Sequence, residues 1–257
     1  MFPFIQITEG VLIPSYFLVI SLVYVISSLW LFIRAPRYRI PQKMVLDVCL
    51  IIMISGFLGA RFLHVFYEHP DYYLKVPSQI FKFWQGGFVF YGGLFLALVS
   101  SFIYLKKNNQ NWRLWFELFA PVVVFGYIVG RFATFLSGSG YGHPTDLPWG
   151  IVYPPGPEAP SGVALHPTPI YSMIWNLIYL FFVLLRQKSP PKLFNFPGSF
   201  LLGYGVYHGI GRLFIEQFRN DFRGQTMLFL SVSSWISVLL IVICFFIFWR
   251  EYKNIKN

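Results

Sequence analysis

The chain has 257 residues, of which 56% are hydrophobic, 21% aromatic and 12% charged. That charged fraction is about half of what a soluble domain carries, which excludes an ordinary water-soluble globule and points to an integral membrane protein. The net charge of +10 could suit a nucleic-acid partner, but the basic residues are dispersed over short segments beside apolar stretches, with no basic domain to form a binding face, so no nucleic acid is expected.

In chain order, mostly apolar stretches of about 17 residues or more, enough to cross a hydrocarbon layer of roughly 30 Å as helix, lie near residues 11–33, 45–67, 88–105, 114–134, 169–185, 198–217 and 226–249. The expected fold class is therefore all-α, a polytopic membrane protein of seven transmembrane helices. Residues 1–10 lack the positively charged region of a cleavable signal, so the first apolar segment is expected to be retained. Arg34, Arg37, Arg39 and Lys43, then Lys106, Lys107 and Arg113, then Arg186, Lys188 and Lys192, and finally Arg250, Lys253 and Lys256 fall in alternate connections and the tail; the opposite connections hold only Lys75, Lys82, Arg219 and Arg223. Because Lys and Arg mark the cytoplasmic side, the N-terminus is expected outside and the C-terminus inside. No repeat or low-complexity segment is visible, so residues 1–257 read as one transmembrane domain. Its only long connection, at about 135–168, is rich in Gly and Pro, free of Lys and Arg, and expected on the outer side. Loops of that length are usually functional or disordered.

Within this frame the polar residues of the spans gather towards the outer ends: Tyr16 in the first, Arg61 and His64 in the second, Tyr91 in the third, Arg131 in the fourth, Tyr171 in the fifth, and His208, Arg212 and Glu216 in the sixth. A guanidinium at membrane depth costs at least roughly 2.5 kcal/mol, so Arg61, Arg131 and Arg212 are each functional candidates. The natural ligand for such a cluster is an anionic lipid headgroup. Arg212 and Glu216, four apart, are neighbours on one helix face and could equally form a structural ion pair; Arg131 has no acidic residue within a turn. Glycines surround these positions: Gly86, Gly87, Gly92 and Gly93 bracket Tyr91, Gly130 precedes Arg131, and Gly203, Gly205, Gly209 and Gly211 precede Arg212. They suit close helix packing and room for a lipid alike. Cys49 and Cys244 sit in different spans, a pattern of packing residues. His64 and His166 have no companions at metal-ligand spacing, so no metal is expected, and nothing calls for a cofactor.

The segments GARFLHVFYEHPDYY, FWQGGFVFYGGL, VGRFATFLSGSGYGHPTDLPWGIVYP, HPTPIY and GIGRLFIEQFRND, in this order and spacing, resemble the prolipoprotein diacylglyceryl transferases of the bacterial inner membrane over roughly residues 10–245. The combination of GR, TDLPW and HP between the fourth and fifth spans is the most specific part. The resemblance implies an enzyme that moves the diacylglyceryl group of phosphatidylglycerol onto the cysteine thiol of a prolipoprotein signal segment, the lipobox, and releases glycerol phosphate on the periplasmic side. By resemblance Arg131 is the arginine of the GR signature, Arg212 that of the penultimate helix, Tyr16 a tyrosine of the first span, and Gly142 the glycine that closes the signature. The chain reads as a divergent member. Tyr91-Gly92-Gly93 stands where the family has His-Gly-Gly, Thr134, Ser137 and Ser139 replace two asparagines and a glutamate, and His208 replaces a tyrosine.

These residues suggest a mechanism. A free thiol is only a few per cent thiolate at neutral pH, so attack needs a base or a positive field. Arg131 and Arg212 are expected to clamp the phosphodiester, with Tyr91 and His208 orienting the substrate or accepting the proton. Arg61, Tyr16, Gly92, Gly93, Thr134, Ser139, Gly142 and Glu216 complete the expected phosphatidylglycerol site. A member that binds lipid or prolipoprotein without turnover is the alternative, and an anion transporter a weaker one; a retinal protein is excluded because no span contains a lysine.

Overall fold

A computed structural model describes residues 1–8, 11–83, 86–153, 159–160, 162–220 and 230–256. The chain divides into two compact units, one of residues 1–31 and 113–257 and one of residues 32–112. The first opens with an antiparallel hairpin of β1 (Phe4–Thr8) and β2 (Val11–Pro14), pairing Phe4 with Pro14 and Ile5 with Ile13. Helix α1 (Ser15–Arg34) starts abruptly after it, its buried Ser15 donating both its backbone N–H (2.9 Å) and Oγ (3.1 Å) to the Pro3 carbonyl. Residues 11–14 therefore belong to a strand and not to the first span as their hydropathy suggests. Pro14 disfavours a helical conformation at Ile13, and the hairpin takes up the backbone groups instead.

Helices α5 (Trp112–Leu136), α6 (Thr168–Arg186), α7 (Ser199–Glu216) and α8 (Val232–Lys256) make up most of the first unit. Ala120, Val124 and Ile128 of α5, Tyr179, Leu180 and Val183 of α6, and Phe200 and Tyr204 of α7 form its buried core. The glycines of α7 are contact points: a Cβ on Gly205 would strike Cys244, one on Gly209 would strike Ile241 of α8, and one on Gly211 would strike Trp175 of α6. Close approach through small residues is how helices associate where lipid removes the hydrophobic drive. At the basic end, Arg113 binds Glu251 through Nε at 2.8 Å and Nη2 at 3.0 Å, and Glu117 accepts from Gln187 (2.8 Å) and the Gly198 N–H (2.9 Å).

Helix α5 ends where Gly138 adopts φ 77°, with its N–H on the Phe135 carbonyl and that of Ser139 on the Thr134 carbonyl, a termination that needs a residue free of the Cβ penalty. The loop that follows is ordered where described. Its backbone between Tyr141 and Thr145 lies between two others: Gly142 N–H bonds His166 O (2.9 Å), Thr145 N–H bonds Ala164 O (2.9 Å), and His143 N–H bonds Phe218 O (2.9 Å). Strands β3 (Ile151–Val152) and β4 (Ala164–Leu165) pair antiparallel alongside. Tyr141, Tyr153, Ala159 and Leu165 bury one another with Met1 and Ile151. Burial, and secondarily Tyr171, pushes the Tyr153 phenol up to about 12, so it stays protonated and packs.

The second unit holds α2 (Gln42–Leu63), a π-helical turn (His64–Glu68), the short α3 (Pro70–Lys75) and α4 (Phe90–Lys107). Gly59 and Gly92 face each other, as do Gly56 and Gly93. A Cβ on Gly92 would meet Gly59 O and Leu63 Cβ, and one on Gly93 would meet Gly56 O and, at 3.2 Å, Ala60 Cβ. Tyr104 donates to Asp47 at 2.7 Å and ties the other end of the pair.

Among the described residues five helices are long and apolar enough to cross a membrane: 15–38, 42–67, 112–136, 168–186 and 232–254. Helices also form at the third and sixth expected spans, but α4 and α7 have 18 residues each, about 27 Å of rise, and α7 is diluted by glycines, His208, Arg212 and Glu216. Part of the last expected span, residues 226–229, lies outside the described residues, and α8 begins at Val232.

The glycine contacts predict an asymmetric pair of variants. Gly59→Leu must displace Gly92 O and Leu96 Cβ (2.7 Å) and is expected to cost about 1–3 kcal/mol or more, read as a lower thermal transition in detergent. Gly56→Ala, whose Cβ meets only Gly93 O at 4.0 Å, is expected to leave that transition unchanged.

Candidate active site

Four residues of α7 at intervals of one turn, Tyr204, His208, Arg212 and Glu216, share a helix face and look towards α5, α6 and the start of α8. At its C-terminal end Arg212 Nη2 lies 3.0 Å from Glu216 Oε2, with side chains 10% and 9% exposed. The same nitrogen donates to Ser233 Oγ at 3.0 Å. Ser233 in turn donates to Glu216 Oε1 at 3.1 Å, and Ser231 donates to the same oxygen. Serine, guanidinium and carboxylate thus close a ring that fixes Arg212. Its other terminal nitrogen, Nη1, is buried without a hydrogen-bond partner among the described residues. An unpaired buried donor on a cation is costly, and an anion is its natural complement.

Arg131, half-buried on α5, donates Nε to Tyr127 Oη at 2.8 Å, and its Cζ lies 4.9 Å from that ring's centroid. Its terminal nitrogens have no partner among the described residues. Tyr127 meets the His208 ring edge to face at 4.4 Å between centroids, so α5 and α7 touch one turn before Arg131 and Arg212. Both guanidiniums act electrostatically on His208, and on each other. Below His208, Asn176 of α6 is 2% exposed. It donates Nδ2 to Ser172 O at 2.7 Å and accepts from Tyr204 Oη at 2.8 Å. The assembly carries Arg131, Arg212, one carboxylate and an imidazole among hydroxyls and one amide, with Arg219 adding further positive charge near Arg212, an arrangement suited to binding a phosphate ester and holding a proton acceptor beside it.

Of the residues expected from sequence, Arg131, His208, Arg212 and Glu216 come together here. Tyr16 belongs to the same unit, in the first turn of α1, 39% exposed with its ring against Phe17; Ile20, one turn on, reaches 3.9 Å from where a Cβ on Gly130 would stand. Thr134 and Ser139 have turned to the backbone. Thr134 Oγ1 donates to Gly130 O at 3.0 Å, and Ser139 Oγ lies 2.8 Å from Ser137 Oγ, a local use that dresses the end of α5. Gly142 is packed so closely that a Cβ would strike Phe218 O, His166 Cβ and Thr168 Cγ2. His166 Nδ1 and Trp149 Nε1 both contact Tyr171 Oη at 2.9 Å, fastening the loop to α6.

Arg61, Tyr91, Gly92 and Gly93 belong to the other unit. Arg61 is 4% exposed. Its Nε donates to Ile80 O (3.1 Å), Nη2 to Gln79 O (2.8 Å), and Nη1 to Gly86 O and to Gly87 O (3.1 Å). The fork is taken up by the chain's own carbonyls. A cavity of about 460 Å³ lies beside it, lined by Arg61, His64, His69, Tyr72, Tyr73, Gly86 and Gly87. Tyr91 is half-buried in the first turn of α4, and Gly92 and Gly93 press on α2.

Tyr127, Asn176, Tyr204 and Ser233 escape a reading of the sequence for arginines and histidines. Tyr127 and Tyr204 were signalled by their positions one turn before Arg131 and His208, and Asn176 as an amide inside the apolar fifth span. Ser233 had no local signal, because its partners Arg212 and Glu216 belong to another helix, 21 and 17 residues away.

Taken together, these features define a helical membrane protein with a cationic polar site built between its helices. The chain matches the family described as prolipoprotein diacylglyceryl transferase over residues 3–250. It is 34% identical over 218 residues to the phosphatidylglycerol–prolipoprotein diacylglyceryl transferase of Polynucleobacter asymbioticus, covering 82% of this chain and 80% of that one. With the proteins of the same name from Cupriavidus metallidurans and Clostridium tetani it shares 33% identity over 192 residues (74% and 69% of the two chains) and 31% over 239 residues (93% of each). The chain belongs to the prolipoprotein diacylglyceryl transferase family and is a transferase.

If Arg61 fastens the 79–87 segment, Arg61→Ala leaves four carbonyls without their donor. It is expected to cost about 2 kcal/mol or more, read as a lower thermal transition and faster proteolytic nicking between residues 76 and 88.

Proposed function

We propose that the protein transfers the diacylglyceryl group of phosphatidylglycerol to the lipobox cysteine of prolipoproteins. The cysteine sulfur forms a thioether bond to the glycerol carbon, the bond from that carbon to the phosphate oxygen breaks, and its electron pair leaves with glycerol phosphate. The observation that carries this reading is the buried, unpartnered Nη1 of Arg212 next to Arg131, whose terminal nitrogens have no partner among the described residues. Two guanidiniums balanced by one carboxylate leave a positive charge that a phosphodiester neutralises, and both lower the cost of charge on the departing phosphate. His208 takes the thiol proton. Glu216 and Ser233 hold Arg212, and Tyr16 lines the approach from α1. The relatives' name, phosphatidylglycerol–prolipoprotein diacylglyceryl transferase, supports the substrate pair.

In this reading Arg61, Gly92 and Gly93 serve the fold of their own unit, and no step is routed through Tyr91. The protein sits in the bacterial inner membrane with seven helices, N-terminus outside and C-terminus inside, and its site opens to the periplasm. The Lys and Arg bias of the connections supports this orientation, and a family match running through both units supports treating residues 1–257 as one functional domain. Binding without turnover is the second reading. It is favoured by Thr134 and Ser139, which replace polar family residues and bond only locally here.

Reconstitution in phosphatidylglycerol nanodiscs with a lipobox peptide tests both readings. The wild type is expected to add one diacylglyceryl mass to the cysteine, and Arg131→Ala and Arg212→Ala to fall by about 100-fold or more. An Arg131→Ala protein as active as the wild type refutes the clamp, whereas a wild type that binds phosphatidylglycerol but transfers nothing establishes the second reading.

A further inference from the structure

Either nitrogen of a neutral imidazole can carry the proton, and the partner of one decides the state of the other. Around His208 the decision starts at Asn176. Its Nδ2 donates to Ser172 O at 2.7 Å; turning the amide over would set two carbonyl oxygens against each other at that distance. Asn176 Oδ1 therefore faces α7. There it accepts the single proton of Tyr204 Oη at 2.8 Å, which leaves Tyr204 only lone pairs to offer. His208 Nδ1 lies 3.4 Å from Asn176 Oδ1 and 3.4 Å from Tyr204 Oη. Both neighbours are acceptors, so a lone pair on Nδ1 would be repelled by two oxygens, whereas an N–H is shared between them. The bonds are long, but the competing arrangement is repulsive, and that difference selects the tautomer. Nε2 has no hydrogen-bond partner among the described residues.

We infer that Asn176 is a positioning residue that holds His208 as the Nδ1–H tautomer, leaving the Nε2 lone pair to accept the proton of the attacking thiol. The tautomer rests on the contacts alone, and the role of Nε2 rests on the transfer reaction proposed above. In that reaction the sulfur–carbon bond forms as the carbon–oxygen bond to phosphate breaks, the electron pair goes to the phosphate oxygen, and the thiol proton passes to Nε2 and then to water. Tyr204 shares the task with Asn176: by donating to the amide it turns its own oxygen into a second acceptor. Here a histidine has replaced a tyrosine of the family pattern, and it meets a hydrogen-bond frame that orients it.

The test uses the full-length protein with ¹⁵N-labelled histidine in phosphatidylglycerol nanodiscs, His208 being identified by difference from His208→Gln. The wild type is expected to show a protonated Nδ1 and an unprotonated Nε2 at His208. Asn176→Leu is expected to lose this preference and about 10-fold or more in kcat, with KM for phosphatidylglycerol unchanged; Asn176→Asp, whose buried carboxyl in its neutral form donates to Ser172 O and keeps the acceptor facing Nδ1, is expected to restore Nδ1–H and most of kcat. A wild-type spectrum with the proton on Nε2 overturns the proposal whether or not the variants fold, as does an Asn176→Leu protein that keeps both tautomer and kcat. If the wild-type spectrum is as expected but no transfer occurs, the reaction and the role of Nε2 fall while the tautomer stands.

Discussion

The polar row of α7 in the larger unit is organised by an imbalance of charge: Arg131 and Arg212, with Arg219 near the latter, against the single carboxylate of Glu216 in surroundings that solvate ions poorly. Glu216 satisfies part of Arg212, and two serines at the start of α8 bind the carboxylate in turn. A buried pair left with one partner missing would be strongly destabilising, so the serines belong to the pair as much as the charges do. Arg131 receives no such treatment. Its partner is a phenol, which orients a cation through a hydrogen bond and a ring face without neutralising it.

Helix α7 resolves the conflict between packing and polarity by using its circumference. One row carries Tyr204, His208, Arg212 and Glu216. The glycines at 205, 209 and 211 meet Cys244, Ile241 and Trp175, letting α6 and α8 come close to α7 beside the polar row. The same residues that make α7 too polar to stand out as a span are those that make it a working element.

Much of this was legible in the sequence, for identifiable reasons. Five of the seven apolar stretches, the second to the sixth, correspond to helices whose ends differ by at most four residues, because hydropathy and the flanking Lys and Arg both report the membrane boundary, whereas α8 runs seven residues past the end expected for the last stretch. The first stretch began too early, since Val11 to Pro14 is as apolar as the span it precedes and only the effect of Pro14 on Ile13 distinguishes it. The one-turn spacing of Arg212 and Glu216 announced their pair. Arg61 carried the same signal as Arg131, an arginine in an apolar segment, yet it bonds four carbonyls of a loop about twenty residues away; composition cannot separate an arginine that holds a loop from one set against a phenol on its own helix. The glycines beside Tyr91, open to two readings, press on α2. Ser233 was beyond reach because its meaning comes from partners on another helix, distant in sequence.

The backbone crossing at residues 141–145 has a mechanical consequence. By bonding to 164–166 on one side and 218–220 on the other, it acts as a hoop around the ends of α5, α6 and α7, and helices bound by a common hoop cannot splay apart there without tearing several main-chain bonds at once. Any movement of these helix ends that keeps the main-chain bonds intact must therefore carry α5, α6 and α7 together, while the opposite ends of the same helices, tied among the described residues only through side chains, are not under that restraint.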